Sequence, residues 1–321
     1  MKDFSIPEER RQKRKKKHVA KRKGRFDFRT GRTGKRKLNY IMKTLNISNI
    51  TGYKFTPITN TKSLQEEILK HSKRLGLKGT VLISKKGLNF SIAGEIESSK
   101  DFITFLRSDK RFSDIDIKTT YNEYQPFRKM LVRIKKEIIS MGVDQIDPFT
   151  FTGEKISPKE LHKKLNDKED IILLDTRNEY EVRLGTFENA VDLNLDSFRD
   201  FPKEIKNLKQ EMKDKEIVMF CTGGVRCEKA SALMLKNGFK DVKQIDGGVI
   251  NYFKETGGAF WKGDCFVFDD RVALDKELKE TDYILCYRCR EPLNKEEIGS
   301  DKYKIDEYCP YCFDDVFSNS K

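Results

Sequence analysis

The segment MFCTGGVRCEKAS (219–231) places an arginine five residues after a cysteine. Gly223 and Gly224 lie between Cys221 and Arg226, and glycine reaches the positive-φ conformations that a tightly curled loop needs. Such a loop turns successive N–H groups inward, and the positive end of a following helix reinforces the resulting anion site. The sulfur of Cys221 would lie in that site. We therefore expect a stabilised thiolate with a depressed pKa, which is the state of a nucleophilic cysteine.

The length of this loop separates two kinds of chemistry. The intervening residues are Thr222, Gly223, Gly224 and Val225. Four residues make a compact cradle for one sulfur anion, such as a persulfide, whereas cysteine phosphatases use five residues to hold three phosphate oxygens. The spacing therefore disfavours phosphatase chemistry. A lone cysteine after a strand is usually a small buried hydrophobe, but the glycines and Arg226 favour a catalytic Cys221. Cys227 is either a resolving thiol or a packed residue at the helix start.

Two pairs of cysteines lie near the carboxyl terminus, Cys286-x2-Cys289 and Cys309-x2-Cys312, with 19 residues between the pairs. This spacing is typical of a four-cysteine zinc site. Four thiolate ligands leave no open position for water, so the role of the metal would be structural. The alternative is two disulfides, which the absence of a secretory signal disfavours. Cys265 has no partner at ligand spacing, and we expect a buried thiol.

The cysteine loop needs a strand before it and a helix after it. EIVMFC (216–221) and IILLDTR (171–177) are short apolar runs typical of buried strands, and EKASALMLKNG (228–238) and SPKELHKKLND (157–167) are helical patterns. Strands that alternate with helices predict an α/β fold with a mainly parallel, doubly wound sheet. Ligands bind such sheets at the carboxyl ends of the strands, which is where Cys221 lies.

A separate arrangement of elements precedes this sheet. The predicted strands and helices are 47–57, 63–76, a hairpin of two strands that meet near Lys85–Gly87, 98–112, 115–124 and 130–139. The order β-α-β-β-α-β is that of a ferredoxin-like α+β domain, which serves either as a scaffold or as a binding platform. Residues 142–156 carry Gly, Pro and Asp and are interpreted as a linker.

The net charge of +14 is concentrated at the N-terminus. Residues 1–45 hold 18 Lys and Arg and 4 acidic residues, whereas the other 276 residues hold 47 of each sign. Few aliphatic residues occur in this arm, so we expect it to be disordered. Its cations would contact RNA or another polyanion through phosphate groups, and the alternative is a solvated tail or a localisation signal. The candidate RNA-binding residues are Lys15, Lys16, Lys17, Lys21, Arg22 and Lys23.

Several protein classes are excluded by the sequence. A chain of 321 residues is long enough for about two domains with large cores. No apolar run approaches the roughly 18–20 residues of a membrane helix, and the N-terminus lacks the apolar region of a secretory signal. Seven cysteines in such a chain indicate reduced thiols, metal ligands or catalysis in a cytoplasmic compartment.

These motifs carry a resemblance to a known family. CTGGVRCEKA resembles a rhodanese active-site loop, and IILLDTRNEYE (171–181) resembles the Asp-x-Arg segment on a neighbouring rhodanese strand. Further segments, QPFRKMLVRIKKEIISMG, GGVINYF and GDCFVFDDRVALD, together with the terminal cysteine pairs, are similar to the rhodanese-containing tRNA uridine(34) hydroxylases. The resemblance covers about 275 residues and leaves out the basic arm.

The charge distribution and the order of elements, together with the resemblance, give a domain plan, and the resemblance implies an activity. The plan is a basic arm (1–45), a ferredoxin-like, acylphosphatase-like domain (46–142), a rhodanese domain (143–262) and a C-terminal extension with a zinc knuckle (263–321). The activity is oxygen-dependent conversion of the wobble uridine of tRNA to 5-hydroxyuridine, with the anticodon loop as partner.

On this analogy Cys221 is catalytic and Arg226 holds its charged form. Asp175 and Arg177 form either a polar support or a purely structural ion pair. The sequence shows no obvious flavin, haem or non-haem iron site. The alternative function is a sulfurtransferase that passes persulfide sulfur from Cys221 to an acceptor.

Overall fold

A computed structural model describes residues 45–318, so the predictions for the arm, Lys15 to Lys23 included, lie outside the described residues. The strands are β1 (Ile47–Phe55), β2 (Lys78–Ser84), β3 (Gly87–Glu95), β4 (Ile117–Asn122), β5 (Met130–Ile134), β6 (Glu154–Ile156), β7 (Ile171–Asp175), β8 (Gly185–Phe187), β9 (Val191–Asp192), β10 (Glu216–Phe220), β11 (Asp241–Ile245), β12 (Trp261–Gly263), β13 (Cys265–Phe266), β14 (Ala273–Leu274), β15 (Ile284–Leu285) and β16 (Pro292–Leu293). The α-helices are α1 (Thr61–Arg74), α2 (Ile96–Ser108), α3 (Pro158–Asn166), α4 (Glu179–Val182), α5 (Phe201–Glu204), α6 (Val225–Lys236), α7 (Gly248–Thr256), α8 (Lys295–Ile298) and α9 (Phe313–Ser318). Short 3-10 turns cover Lys110–Phe112, Ile205–Asn207 and Gln210–Asp214.

The first sheet has the strand order β4-β1-β3-β2-β5. Strand β1 pairs antiparallel with β3 and β4, and β2 pairs antiparallel with β3. The predicted β-α-β-β-α-β order is confirmed, and β5 adds one further strand parallel to β2. Ile68 of α1 and Phe102 of α2 are buried with Ile50 and Ile92 of the sheet in one core. The apolar residues of each helix recur at helical spacing, so they lie on one face, and burial of that face packs both helices against the sheet.

Two segments differ from the prediction because they serve the second core. The strand expected over 130–139 ends at Ile134, and the chain then leaves the first sheet, so that Met141 packs in the core of the second sheet. The segment interpreted as a linker, 142–156, ends in a strand, β6, which pairs in parallel with β11. Ile156 of this strand is buried in the second sheet's core, which explains the pairing.

The second sheet has the order β6-β11-β10-β7-β9, and all of its pairs are parallel. Alternate residues of β7 and β10 point to opposite faces, since side chains in a strand have a period of two. Leu174 and Met219 pack with α6 on one face, whereas Leu173 and Val218 pack with α3 and α7 on the other. The predicted doubly wound parallel sheet is therefore confirmed.

The C-terminal segment contacts the residues between β7 and β9. Strand β12 pairs antiparallel with β8, and β13 pairs with β14. The Arg183 guanidinium lies 2.8 Å from the carboxylate of Glu291 and 3.0 Å from that of Glu297, and its Cζ lies 4.1 Å from the ring centre of Tyr311. These contacts attach the cysteine-rich end to the sheet. None of the helices within residues 45–318 has the length and apolarity that a bilayer span requires.

Candidate active site

The cysteine loop begins where β10 ends and continues into α6. Cys221 is buried, and its Sγ accepts a hydrogen bond from the backbone N–H of Gly224 at 3.1 Å. Gly224 has a φ of +95°, so the turn uses the conformation that glycine permits. Helix α6 starts at Val225, and its positive end faces the loop. The sulfur therefore lies where an anion is stabilised. Of the other loop residues, Thr222, Gly223 and Val225 are partly exposed.

A second turn supports this loop from behind. The backbone N–H of Val249 donates to the carbonyl of Cys221 at 3.0 Å, and that of Ile250 donates to the carbonyl of Thr222 at 3.2 Å. Gly248 has a φ of +70°, and a Cβ there would lie 2.5 Å from the Cys221 carbonyl oxygen. Any side chain at position 248 would therefore displace the loop. Sequence reasoning did not identify Gly248 as a site residue, although the glycine pair before α7 was a signal.

The electrostatics of the loop separate its two cysteines. Burial alone would raise the pKa of Cys221, because the interior solvates a thiolate poorly. A hydrogen bond from Cys227, the charge of Arg226 and the N–H groups at the start of α6 outweigh burial and lower the pKa of Cys221 to about 5. The pKa of Cys227 is raised well above its usual value by burial and by the bond to Cys221. These opposite shifts favour the thiolate at Cys221 and the neutral thiol at Cys227.

Arg226 is held by a carboxylate that sequence reasoning missed. Its Nη2 lies 2.8 Å from Oε1 of Glu181, and its Nη1 donates to the other oxygen. Glu181 is fully buried in α4; burial opposes its charge, but Arg226 lowers the pKa of Glu181 below its usual value. Glu181 also accepts the backbone N–H of Asn178 at 3.2 Å. The spacing Asn-x-x-Glu, which is typical of a helix start, was the available signal.

Asp175 and Arg177 form a second buried ion pair at the end of β7. The Nε of Arg177 lies 2.9 Å from Oδ1 of Asp175, and both side chains are fully buried. Arg177 also donates to the carbonyl of Gly185 at 2.6 Å and to that of Glu181 at 3.4 Å. The pair therefore contacts the backbone of the residue that holds Arg226, and it has no exposed surface through which to touch a substrate.

Tyr53 of the first sheet reaches the cysteine loop. Its hydroxyl donates to Oε1 of Glu228 in α6 at 2.9 Å, and a Cβ at Gly224 would lie 3.0 Å from that hydroxyl. The other oxygen of Glu228 accepts from Thr152 at 2.8 Å and from Gln244 at 3.1 Å. Burial and the Glu228 charge raise the pKa of Tyr53 well above its usual value, so the phenol stays protonated. No local pattern connects Tyr53 with residue 228, which is 175 positions away.

The four C-terminal cysteines converge at a second site. All four sulfurs lie within 4.8 Å of one another. The distance between sulfurs is 3.5 Å for Cys289 and Cys309, 3.8 Å for Cys309 and Cys312, and 4.0 Å for Cys286 and Cys312. A tetrahedral zinc ion bonded to sulfur at about 2.3 Å needs sulfurs about 3.8 Å apart. The cluster therefore fits a four-thiolate metal ion.

Cys265 belongs to neither cysteine group, although its sulfur lies next to the Thr222 hydroxyl of the loop. It is buried in β13, as the sequence predicts, and burial raises its pKa to about 12. It packs in the core on the α3 and α7 face of the second sheet. This thiol is therefore neutral and shielded, and it offers an internal control for the other cysteines.

Comparison with known proteins identifies two domain families along this chain. Residues 47–138 match the UPF0176 acylphosphatase like domain, and residues 157–255 match the rhodanese-like domain. Among solved structures, a rhodanese-like domain protein from Staphylococcus aureus is 24% identical, with a TM-score of 0.27; the alignment covers 31% of this chain and 90% of that one. The BH2092 protein from Bacillus halodurans is 23% identical, with a TM-score of 0.29, over 35% of this chain and 77% of that one. Likenesses this distant say nothing about function.

A curated relative covers both matched domains and extends beyond them. The tRNA uridine(34) hydroxylase of Cupriavidus metallidurans is 40% identical over 275 residues, which are 84% of this chain and 98% of the relative. Identity of this level along almost the whole relative confirms the resemblance that the motifs predicted. This chain belongs to the tRNA uridine(34) hydroxylase family.

Proposed function

We propose that this chain is a tRNA-modifying oxidoreductase that converts uridine 34 in the anticodon loop to 5-hydroxyuridine, with molecular oxygen as co-substrate. The observation that carries the proposal is the buried thiolate loop of Cys221 in a chain that is 40% identical to a tRNA uridine(34) hydroxylase. Anticodon bases are single-stranded and can be splayed into a protein pocket. The proposed compartment is the cytoplasm.

In this proposal Cys221 is the nucleophile and Arg226 keeps its sulfur charged. A thiolate that adds to the electron-poor C6 of a uracil ring makes the neighbouring C5 nucleophilic towards oxygen. Once C5 carries one oxygen atom of O2, loss of the C5 proton expels the Cys221 thiolate and restores the C5–C6 double bond, and a two-electron reductant converts the other oxygen atom to water. The loop residues 222–225 shape the anion site through their backbone. Asp175 and Arg177 are assigned a supporting role, because Arg177 contacts the backbone of Glu181. Cys227 is assigned the role of thiol donor to Cys221, so that it is not free to act as a resolving thiol.

The test uses a strain in which the cognate gene is deleted. The strain is complemented with wild type, Cys221→Ala or Cys265→Ala, and tRNA nucleosides are measured by mass spectrometry. We expect wild type and Cys265→Ala to restore 5-hydroxyuridine derivatives, and Cys221→Ala to lose about a thousandfold or more of the activity. Restoration by Cys221→Ala would contradict the proposal, as would an unchanged nucleoside profile in the deletion strain when no paralogue is present.

A sulfurtransferase is the second candidate, because the compact four-residue loop fits a persulfide and lies in a domain that matches rhodanese-like proteins. In that case Cys221 would accept sulfur from thiosulfate and pass it to a thiol or to cyanide. The purified chain is assayed for thiosulfate turnover with cyanide. Strong turnover that Cys221→Ser abolishes, without effect on tRNA 5-hydroxyuridine, would favour this function over hydroxylation.

The remaining assignments are proposals about the parts outside the loop. The metal in the four-cysteine cluster is zinc with a structural role, since four thiolates close the coordination sphere. The domain boundaries follow the plan stated from the sequence: 1–45, 46–142, 143–262 and 263–321. The arm is an accessory tether that contacts the tRNA backbone through its lysines and arginines.

A further inference from the structure

Phe268 is a large apolar side chain that the fold leaves in solvent, with 57% of its surface exposed. Buried contacts anchor the turn that carries it. Asp269 and Arg271 form an ion pair at 2.6 Å and are both buried, and Arg271 also donates to Thr120 of the first sheet at 2.8 Å. The exposure of Phe268 is therefore built into an ordered turn, since its neighbours on both sides are fixed.

This ring lies beside the cysteine loop. The guanidinium carbon of Arg226 is 5.8 Å from the ring centre of Phe268, which is within the range of a cation–π contact. Phe266 meets the ring edge to face at 5.1 Å, and its carbonyl accepts a hydrogen bond from the Thr222 hydroxyl at 3.4 Å. The segment 266–268 thus touches the loop at both its second residue and its arginine.

The loop also has an open approach. A Cβ built on Gly223 would meet no atom within 4 Å, whereas one built on Gly248 would collide with the loop backbone. Gly223 is two residues after Cys221 and next to Thr222. The loop is therefore open above Gly223 to at least a side-chain-sized group, while its backbone is closely packed at Gly248.

We propose that Phe268 is the platform on which the target pyrimidine base stacks while Cys221 acts on it; the proposal rests on the hydroxylase function proposed above. Single-stranded bases are bound chiefly by stacking on aromatic rings, because every base has a π-face. A ring that is exposed, anchored by its turn and adjacent to Arg226 supplies such a face at the site of the chemistry. Phe268 then keeps the plane of the base fixed relative to the loop.

Steady-state kinetics on unmodified tRNA tests the platform. The variants are Phe268→Ala, Phe268→Leu and Phe268→Tyr, with Phe149→Ala as the matched control, because Phe149 is exposed to the same degree (56%). Stacking on one base is worth about 1–3 kcal/mol, so we expect kcat/KM to fall about fivefold to a hundredfold in the Ala variant. Leu, which has similar volume but no ring, is expected to behave like Ala, and Tyr to stay within about twofold of wild type. The control is expected to match wild type.

A fluorescence measurement separates stacking from a structural role. The chain has one tryptophan, Trp261, which is buried, so Phe268→Trp adds one exposed indole. A uridine-containing anticodon stem-loop RNA is expected to quench this indole in a saturable way, and the same RNA with an abasic residue at position 34 is expected to quench it much less. Equal quenching by the two RNAs would overturn the proposal, since the ring would then meet some other part of the RNA.

The outcomes also distinguish this proposal from the function on which it rests. If wild type forms 5-hydroxyuridine and Phe268→Ala or Phe268→Leu does so with an unchanged kcat/KM, the base does not stack on Phe268, and the hydroxylase function stands. If the Ala variant has a lower melting temperature and Leu restores both stability and activity, Phe268 is a packing residue and the platform is again wrong. A wild-type chain that forms no 5-hydroxyuridine overturns both.

Discussion

The two groups of cysteines in this chain meet opposite surroundings. Cys221 has one neighbouring thiol, backbone N–H donors and the charge of Arg226, and its pKa falls to about 5. The four C-terminal cysteines instead lie within 4.8 Å of one another. One thiolate can be stabilised by protein groups, whereas four thiolates at such distances need a cation from outside the chain. The first arrangement suits a reactive sulfur and the second suits a metal ligand.

The two sites also differ in how much of the chain they need. The metal cluster draws its ligands from residues 286–312, so its geometry is largely local. The cysteine loop is held by Tyr53, Glu181 and Gly248, which come from the first sheet, from α4 and from the turn before α7. The surroundings of the loop sulfur thus depend on tertiary structure to a degree that those of the cluster sulfurs do not, and the following measurements test this difference.

The largest effect is expected at the cluster. Replacing Cys309 and Cys312 by Ala leaves two ligands, so we expect the loss of one bound metal ion per chain and local unfolding of residues 284–318. Structural zinc contributes about 10 kcal/mol or more to small zinc domains. Metal analysis and limited proteolysis measure the change. Cys265→Ala removes a buried thiol outside the cluster and should keep its metal; a double variant that still holds a full equivalent of zinc would contradict the assignment.

The next effect is the acidity of Cys221. A thiol normally titrates at about 8.5, so a pKa of about 5 predicts a thiolate over the whole neutral range. The pKa of Cys221 is lower in the folded chain than in the unfolded chain, so the thiolate stabilises the folded state. This contribution to the free energy of unfolding is complete above about pH 8.5 and is lost as the pH falls through about 5. The ultraviolet absorbance of the thiolate, wild type minus Cys221→Ser, follows this titration. A titration midpoint near pH 8.5 would show that the loop does not lower the pKa of Cys221 and would contradict the prediction.

Glu181→Gln sharpens the comparison through stability. The substitution keeps the size of the side chain and leaves the Arg226 charge buried without its carboxylate. Breaking a buried pair in this way costs about 3–5 kcal/mol in the free energy of unfolding, measured by urea denaturation. The control is Glu188→Gln, since Glu188 pairs with Lys262 at 3.8 Å on the surface and such pairs are worth below about 1 kcal/mol. Equal losses in both variants would show that burial of the pair is not what matters.

The smallest effect is expected from Tyr53→Phe. The variant keeps the ring and removes the hydroxyl that donates to Glu228 at 2.9 Å. A hydrogen bond to a charged group contributes about 1.5–3 kcal/mol, so the free energy of unfolding should fall by about this amount, with the metal cluster unaffected. Tyr121→Phe alters a tyrosine that is 49% exposed and serves as control. A stable Tyr53→Phe chain would mean that the first sheet does not support the loop through this bond.

Local patterns predicted most of the fold. The β-α-β-β-α-β order, the parallel sheet and the position of Cys221 after β10 all follow from apolar periodicity and from glycine positions. The prediction was wrong for residues 135–139, which continue beyond the strand, and for residues 154–156, which form a strand instead of a linker. Met141, which follows the first segment, and Ile156, which ends the second, are buried in the core of the second sheet and so fix the path of the chain. A pattern within a few residues contains no information about that distant core.

The sequence by itself predicted which cysteines belong to the loop and which belong to the four-cysteine cluster. The Cys-x4-Arg loop and the two Cys-x2-Cys pairs depend on spacings of a few residues, and the chain geometry at that range is set by covalent structure and by glycine φ. Tertiary structure alone decided what surrounds the loop: the Glu181 carboxylate on Arg226, the Tyr53 hydroxyl against Gly224 and the exposed ring of Phe268. These contacts join residues 42 to 171 positions apart, and only the tertiary packing of the chain brings such residues together.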